Sequence, residues 1–167
     1  MDLVIVRHAI AEQRDPRSWP DDAQRPLSSK GVKRFKKAAK GLGKLAPGVD
    51  NMLSSPYERA WQTAELLETH AGWGEPEVLD ALGAGNTPGE VMDALAGRRL
   101  GQRVALVGHE PIMGELVTVL IGGPLTTSRA QMKKGGAALV HVPGDRVEAG
   151  AGLLAWLHTP KALRALG

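Results

Sequence analysis

The sequence contains no cysteine, which removes several kinds of chemistry at the outset. Disulfides, thiol nucleophiles and cysteine-ligated metals are all excluded for this chain. It also lacks any apolar stretch near the roughly 20 residues of a membrane-spanning helix. The basic stretch, apolar run and small-residue cleavage site of a secretory signal are missing from its first residues. We therefore expect a cytoplasmic protein that does not associate with membranes.

Aromatic residues and net charge are both scarce, and each argues against a nucleic-acid partner. The chain has one tyrosine, one phenylalanine and four scattered tryptophans, which do not form a platform for stacking bases. A formal charge of +3 is too small a bias to imply nucleic acid by itself. With 167 residues, 43% of them hydrophobic, the chain is large enough to bury a core as one domain over residues 1–167.

Short aliphatic runs alternate with amphipathic stretches along the chain. We predict strands at 3–6, 51–53, 104–107, 137–142 and 153–157, and helices at 28–45, 56–70, 88–96 and 111–121. Alternation of this kind predicts an α/β fold with a mostly parallel central sheet and helices on both faces, a three-layer α/β/α arrangement. The last two strands follow each other across a turn region, which predicts a hairpin and therefore one antiparallel strand.

Two helix starts carry capping patterns. Ser55 and Glu58 have the spacing of a capping box at the start of the second helix, and Thr87 and Glu90 repeat that spacing at the third. A proline suited to the first helical turn follows each capping residue. The second helix is therefore expected to begin directly after the strand that ends at Leu53.

Charged and polar side chains follow three of the predicted strands. LVIV is followed at once by Arg7 and His8, VALVG by His109, and Arg59 lies on the first turn of a helix where the dipole disfavours a cation. Buried charges need a partner, and ligands of open α/β sheets bind beyond the carboxyl ends of the strands. Two arginines, two histidines and exposed helix N-termini therefore predict a site for a tetrahedral dianion.

Three motifs carry a resemblance to a known family. LVIVRHAIAE, SSPYERAWQTAELL and VALVGHEP, in this order, resemble the histidine phosphatase superfamily, although Ala9 stands where the family often has glycine. The short chain and the segment RPLSSKG look most like its small SixA-type phosphohistidine phosphatases. The resemblance implies a phosphoglycerate mutase-like fold, with His8 as nucleophile and Arg7, Arg59 and His109 around the phosphate. It implies no metal or other cofactor. Arg25, in the segment RPLSSKG, is either a surface arginine or a residue of the pocket rim that contacts phosphate or the incoming protein.

A general acid for the leaving group is hard to find in the sequence. Larger relatives that cleave alkyl phosphates use a carboxylic acid, and only Asp80 and Glu110 are weak candidates for that role here. Both have simpler interpretations, as a strand-end residue and as an acid in the first turn of a helix. Since a protonated imidazole leaves readily, the missing acid favours phosphohistidine over sugar phosphates as the substrate.

These observations predict a metal-independent phosphatase that works through a phosphohistidine intermediate and acts on phosphohistidine of a signalling protein. A phosphorylated small metabolite or nucleotide is the second substrate class. A phosphate-binding interaction module without turnover is the alternative of a different kind. The helix at 28–45 carries a basic face, which is either solvated or docks an acidic or phosphorylated partner, and the oligomeric state stays open; the face consists of Lys33, Lys37, Lys40 and Lys44.

Overall fold

A six-stranded sheet forms the centre of the structure, a computed structural model that describes residues 1–124, 127–144 and 146–167. The strands lie in the order β3-β2-β4-β1-β5-β6. Only β5 runs against the others, because it pairs antiparallel with both of its neighbours. The predicted hairpin is therefore confirmed. The strands are β1 Asp2–Arg7, β2 Asn51–Ser54, β3 Pro76–Val78, β4 Arg103–Gly108, β5 Ala137–His141 and β6 Leu153–His158.

In the part of the chain that the structure describes, five α-helices cover the two faces of this sheet. One face carries α1, α2 and α5, and the other carries α3 and α4, so the predicted three-layer α/β/α arrangement is confirmed. Within the described ranges, none of these helices is both long and apolar enough to cross a membrane. The helices are α1 Ser29–Leu45, α2 Glu58–Ala71, α3 Pro88–Ala96, α4 Ile112–Gly122 and α5 Pro160–Leu166.

The core consists of two layers that the sheet separates. Val4 and Val6 of β1 face α1, α2 and α5, whereas Leu3 and Ile5 face α3 and α4. Successive side chains of a strand point to opposite faces, so a continuous aliphatic run supplies both layers at once. That explains why β1 has no polar residue between Leu3 and Val6, which are all fully buried.

One strand and one α-helix of the described chain were not predicted from the sequence. The strand β3 is three residues long, begins at Pro76 and lies at the edge of the sheet, so it carries no alternating pattern. The helix α5 follows Thr159, whose side chain accepts a hydrogen bond from the Ala162 amide. The predicted capping box of α3 is confirmed, since the Thr87 hydroxyl and the Glu90 carboxylate each accept from the other residue's backbone amide.

The close approach of α1 to the chain after β1 requires glycine at position 31. A Cβ atom there would lie 1.9 Å from the carbonyl oxygen of Ile10. The same carbonyl accepts hydrogen bonds from the backbone and side chain of Ser28, at 3.0 and 3.2 Å. Because Ser28 caps α1, any added volume at Gly31 would push the start of this helix away from the segment that follows His8.

We predict that Gly31→Ala destabilises the protein. Overpacking typically costs about 1–3 kcal/mol, and it acts here against the roughly 1 kcal/mol that alanine gains over glycine in a helix. The control is Gly97→Ala, where the backbone φ is −84° and a Cβ meets nothing within 4 Å. Urea unfolding should show a clear loss for Gly31→Ala and a change within about 0.5 kcal/mol for the control. Equal stabilities would contradict the tight contact.

Candidate active site

The carboxyl ends of three adjacent strands define the site. β1 lies beside β4 with Arg7 opposite Gly108, and β2 lies on the other side of β4. The amide of His8 donates to the Gly108 carbonyl at 2.9 Å, and the amide of Ser55 donates to the Val107 carbonyl at 2.9 Å. Strand pairing therefore brings the residues that follow β1, β2 and β4 to one edge of the sheet, as the sequence predicted.

The imidazole of His8 is buried and oriented by its own backbone. Its Nδ1 donates to the carbonyl of Ala9 at 2.7 Å, and the whole residue is 6% exposed. This bond places the proton on Nδ1, and no residue in the described ranges hydrogen-bonds to Nε2. Burial, followed by the charges of neighbouring site residues, lowers the pKa of His8 to about 2. His8 is therefore neutral with an unprotonated Nε2 at any ordinary pH.

A buried hydroxyl connects the His8 segment to α2. The backbone amide of Ala9 donates to Thr63 Oγ1 at 3.0 Å, and Thr63 Oγ1 donates to the Arg59 carbonyl at 2.6 Å. Thr63 is fully buried. Its single side-chain oxygen therefore sets the distance between the loop that carries His8 and the first turn of α2, which carries Arg59.

His109 lies beside His8 and interacts with Ser55. The two imidazole rings are 5.1 Å apart, and His109 Nε2 is 2.8 Å from Ser55 Oγ. The amide of Tyr57 also donates to this oxygen, which leaves the hydroxyl proton for Nε2 and favours a proton on His109 Nδ1. Burial, followed by the charge of Arg59, lowers the pKa of His109 to about 3. His109 is therefore neutral, and any hydrogen bond that it donates comes from the neutral ring.

The predicted role of Ser55 as a helix cap is wrong. The helix α2 begins at Glu58, and its N-cap residue Tyr57 makes no capping hydrogen bond through its side chain. Ser55 lies too far back along the chain to cap it, and its hydroxyl contacts His109 instead. Glu58 accepts from the Gln62 side chain rather than completing a capping box. Ser55 and Glu58 have the spacing of a capping box, but the Ser55 hydroxyl bonds to His109, a residue distant in the sequence.

Arg7 is held by the segment that leads into β5. Its Nη1 donates to the Met132 carbonyl at 2.6 Å. Glu110 accepts from the Met132 amide at 2.5 Å and from the Gly114 amide at 3.3 Å, so it fastens this segment to the start of α4. Burial lowers the pKa of Arg7, and the charge of Glu110 opposes that change.

Arg59 and Arg25 share one carboxylate, that of Asp22. Arg59 donates to the Asp22 carbonyl at 2.7 Å and pairs with its carboxylate at 3.2 Å, while Arg25 Nε donates to the same carboxylate at 2.8 Å. The hydrogen bond from Arg25 is the main cause that lowers the pKa of Asp22. Sequence reasoning missed Asp22, whose only signal is its position three residues before Arg25.

Three buried nitrogens of this site lack partners. Across the described part of the chain, the unpartnered buried side-chain atoms are Arg7 Nε, Arg59 Nε and His109 Nδ1. A buried donor without an acceptor costs about 1–3 kcal/mol, so three of them in one place indicate where an acceptor-rich group binds. The structure thus brings Arg7, Arg59 and His109 around His8, with donors suited to a tetrahedral oxyanion.

Within the described ranges, neither carboxylate considered as a general acid forms a hydrogen bond with the side chains of Arg7, His8, Arg59 or His109. Asp80 is exposed in the short 3-10 helix Asp80–Leu82, and Glu110 is engaged by two backbone amides. Among the residues that the structure describes, no group of three or more histidine, aspartate or glutamate side chains could hold a metal ion.

Comparison with known proteins agrees with this fold. The family model of the histidine phosphatase superfamily, branch 1, matches residues 3–83. An uncharacterised protein of Picosynechococcus sp. is 31% identical over 151 residues, which are 89% of this chain and 90% of that protein. The chain belongs to the histidine phosphatase superfamily and is a phosphatase by family.

Solved structures identify the branch. The protein histidine phosphatase SixA, determined as a complex with tungstate, superimposes with a TM-score of 0.80 at 26% identity, covering 98% of this chain and 99% of SixA. A protein named for SixA from Nakamurella multipartitia has the same fold, with a TM-score of 0.76 at 23% identity over 95% of each chain. Within the superfamily, the chain is of the SixA type, with the phosphoglycerate mutase-like fold.

The lowered pKa values of the two buried histidines predict a pH-dependent stability. The unfolded chain binds protons on both as the pH falls below about 6.5, whereas the folded protein, with pKa values of about 2 and 3, does not. Their contribution to stability is therefore complete above pH 6.5 and is lost as the pH falls.

We expect His8→Asn to make the free energy of unfolding less sensitive to acid. Each buried histidine contributes a slope approaching about 1.4 kcal/mol per pH unit below its unfolded pKa. Urea unfolding at pH 7, 6 and 5 measures this slope, and aspartate contributions cancel between the two proteins. If wild type and His8→Asn lose stability in parallel, His8 is not buried in its neutral form.

Proposed function

We propose that this protein is a metal-independent phosphatase that hydrolyses phosphohistidine through a phosphorylated His8. The observation that carries the proposal is the neutral His8 imidazole beside three unpartnered donors. Its Nδ1 is bonded to the Ala9 carbonyl, and its Nε2 has no partner among the described residues. An imidazole whose other nitrogen holds the proton can attack phosphorus.

Two transfers complete the proposed reaction. In the first, His8 Nε2 forms a bond to phosphorus while the bond between phosphorus and the leaving nitrogen breaks, and the leaving imidazole takes a proton from solvent. In the second, water attacks the phosphorus held on His8 while the bond between phosphorus and Nε2 breaks, which releases inorganic phosphate, returns a proton to solvent and restores the neutral ring. Arg7, Arg59 and His109 donate to the equatorial oxygens, where the charge of the transferring group is spread.

The arginines of the site have a geometry that suits a phosphoryl group. Arginine presents its donors as a planar fork that matches phosphate oxygens, and the positive charges of Arg7 and Arg59 take the part that a metal plays elsewhere. SixA, to which this chain is similar, is a protein histidine phosphatase and was solved with tungstate, which is a tetrahedral oxyanion. Arg25 stays a predicted contact at the rim, since Asp22 holds it close to Arg59.

Phosphohistidine is preferred over alkyl phosphates because neither carboxylate serves the leaving atom. Asp80 is exposed and Glu110 binds backbone amides. The imidazole of phosphohistidine needs less help to leave than an alkoxide does. A small phosphorylated metabolite or nucleotide is the second substrate class, and a binding module without turnover is the alternative that the free Nε2 of His8 argues against. We also propose that residues 1–167 form a single domain and that the protein is cytoplasmic.

We predict that His8→Ala abolishes turnover of a generic aryl phosphate and of a phosphohistidine peptide. Removing the imidazole removes the atom that receives the phosphoryl group. Rapid mixing with labelled substrate, followed by a quench that avoids acid, should trap label on wild type at His8. Both assays are run with EDTA present, so that turnover with EDTA also tests metal independence.

The matched control is His158→Ala, which removes a histidine outside the site and should keep both turnover and label. Circular dichroism should report the same fold for both variants. Turnover by His8→Ala, or label on another residue, would overturn the mechanism. Absence of turnover in wild type with every substrate would favour the binding module.

A series of substrates with different leaving groups tests whether the enzyme lacks a general acid. General acid catalysis is typically worth about 10²–10⁴-fold, so phosphoramidates and aryl phosphates should exceed alkyl phosphates in kcat/KM by at least that much. Asp80→Asn should change the phosphohistidine rate by less than about tenfold. A flat series, or a large loss in Asp80→Asn, would reveal an acid and move the substrate towards phosphate monoesters.

A further inference from the structure

A tight turn next to the active site carries two lysines. The amide of Gly135 is 2.9 Å from the His8 carbonyl and 3.1 Å from the Arg7 carbonyl, so residues 133–135 are fastened to the chain at the nucleophile. Burial lowers the pKa of Lys134, and the charges of Arg7, Arg25 and Arg59 lower it further. Lys134 therefore lies in the electrostatic field of the site, although it belongs to a different segment.

A cleft of about 360 Å³ begins at this turn. One end is formed by Ala9 and Ile10, the two residues that follow His8, and its apolar floor includes Phe35 and Pro160. The cleft passes between α1, α5 and the 133–135 turn. The cations that line it are Arg34, Lys133, Lys134, Lys161 and Arg164.

A second cleft continues this surface along α1. It has a volume of about 570 Å³ and shares Arg34 and Arg164 with the first. Together the two clefts form one surface, here called the basic groove, which leads from the residues after His8 to the start of α1. The cations added by the second cleft are Lys30, Lys33 and Lys37.

Among the residues that the structure describes, the cations of the basic groove have no side-chain partners. No described acidic side chain lines either cleft, and none of the groove's lysines or arginines forms an ion pair or side-chain hydrogen bond in the described ranges. By contrast, Lys44 on the same helix donates to the Leu166 carbonyl at 2.6 Å. Uncompensated charge of one sign in a concave surface concentrates ligands of the opposite charge.

We propose that the basic groove binds an acidic polypeptide segment of the phosphorylated protein substrate, beside the phosphohistidine that enters the active site. This inference rests on the function proposed above and adds the substrate feature that the protein recognises. A polypeptide is favoured because the groove is open and extends away from His8. Single-stranded nucleic acid needs exposed aromatic side chains for stacking, but Phe35, the only described aromatic residue lining the groove, is 2% exposed.

The first arm of the test measures binding without catalysis. The probe is an unphosphorylated, fluorescent peptide rich in aspartate and glutamate, followed by anisotropy at low ionic strength. We expect the double variant Arg34→Glu/Lys161→Glu to weaken its affinity about tenfold or more. Salt should weaken the wild-type complex, since exposed charges are screened.

The matched control reverses two other charges of α1. Lys36 and Lys40 line neither cleft. They lie near His70 of α2: burial is the main cause that lowers the pKa of His70, and the charges of these two lysines lower it further. Lys36→Glu/Lys40→Glu therefore makes the same change in net charge away from the groove. It should alter the peptide affinity by less than about twofold if the groove, rather than overall charge, attracts the peptide.

The second arm compares turnover of two phosphohistidine peptides, one with acidic and one with uncharged flanks. Wild type and the Lys36/Lys40 control should prefer the acidic peptide about tenfold in kcat/KM, and Arg34→Glu/Lys161→Glu should lose this preference. All three should hydrolyse a small aryl phosphate equally. If wild type hydrolyses aryl phosphate but neither peptide, the proposed function fails. The first arm still tests whether the basic groove binds an acidic peptide.

Several outcomes would overturn the groove assignment. Equal peptide affinity of wild type and Arg34→Glu/Lys161→Glu is one, and an equal loss in the Lys36/Lys40 control is another. Displacement of the peptide by single-stranded DNA or by anionic vesicles at lower concentration than by unlabelled peptide would assign the groove to that ligand instead. A matching loss of aryl phosphate turnover would show that the groove and the active site are not separable.

Discussion

Burying the imidazole of His8 beside two guanidinium groups sets the protonation state on which the rest of the site depends. A nucleophile that attacks phosphorus has to carry a lone pair, and burial and the neighbouring positive charges both disfavour the imidazolium form. The bond from Nδ1 to the Ala9 carbonyl then decides which nitrogen carries the proton. Burial is thus the main cause that keeps the proposed phosphate acceptor neutral, and the cations that suit a phosphate add to that effect.

The guanidinium groups are in turn held by atoms that belong to loops. The carbonyl of Met132 receives Arg7, and the Asp22 carboxylate and carbonyl receive Arg59. These contacts occupy terminal nitrogens and leave the Nε of each arginine unpartnered. These contacts fix the orientation of each guanidinium group. A guanidinium that is already immobilised loses less entropy when it binds an anion.

Patterns within single segments were sufficient to predict most of the fold and which side chains meet at the ends of the central strands. The aliphatic run before Arg7 had to be a strand buried on both faces, and strands of one parallel sheet present their ends together. Asp22 and the Met132 carbonyl could not be predicted, since their contacts depend on the path of loops. Ser55 was misassigned because its spacing to Glu58 fits a capping box, while its actual partner His109 lies 54 positions away in the sequence.

The contact between Arg7 and the Met132 carbonyl spans 125 positions of the chain. Strand β1 is translated before β4 and β5, yet the groups that orient its arginine and complete the pocket come from β4 and from the segment before β5. A nascent chain therefore exposes His8 on the ribosome before any pocket exists around it. Reactivity towards phosphate cannot precede folding of almost the whole polypeptide, because non-local pairing forms only after its distant segments have been made.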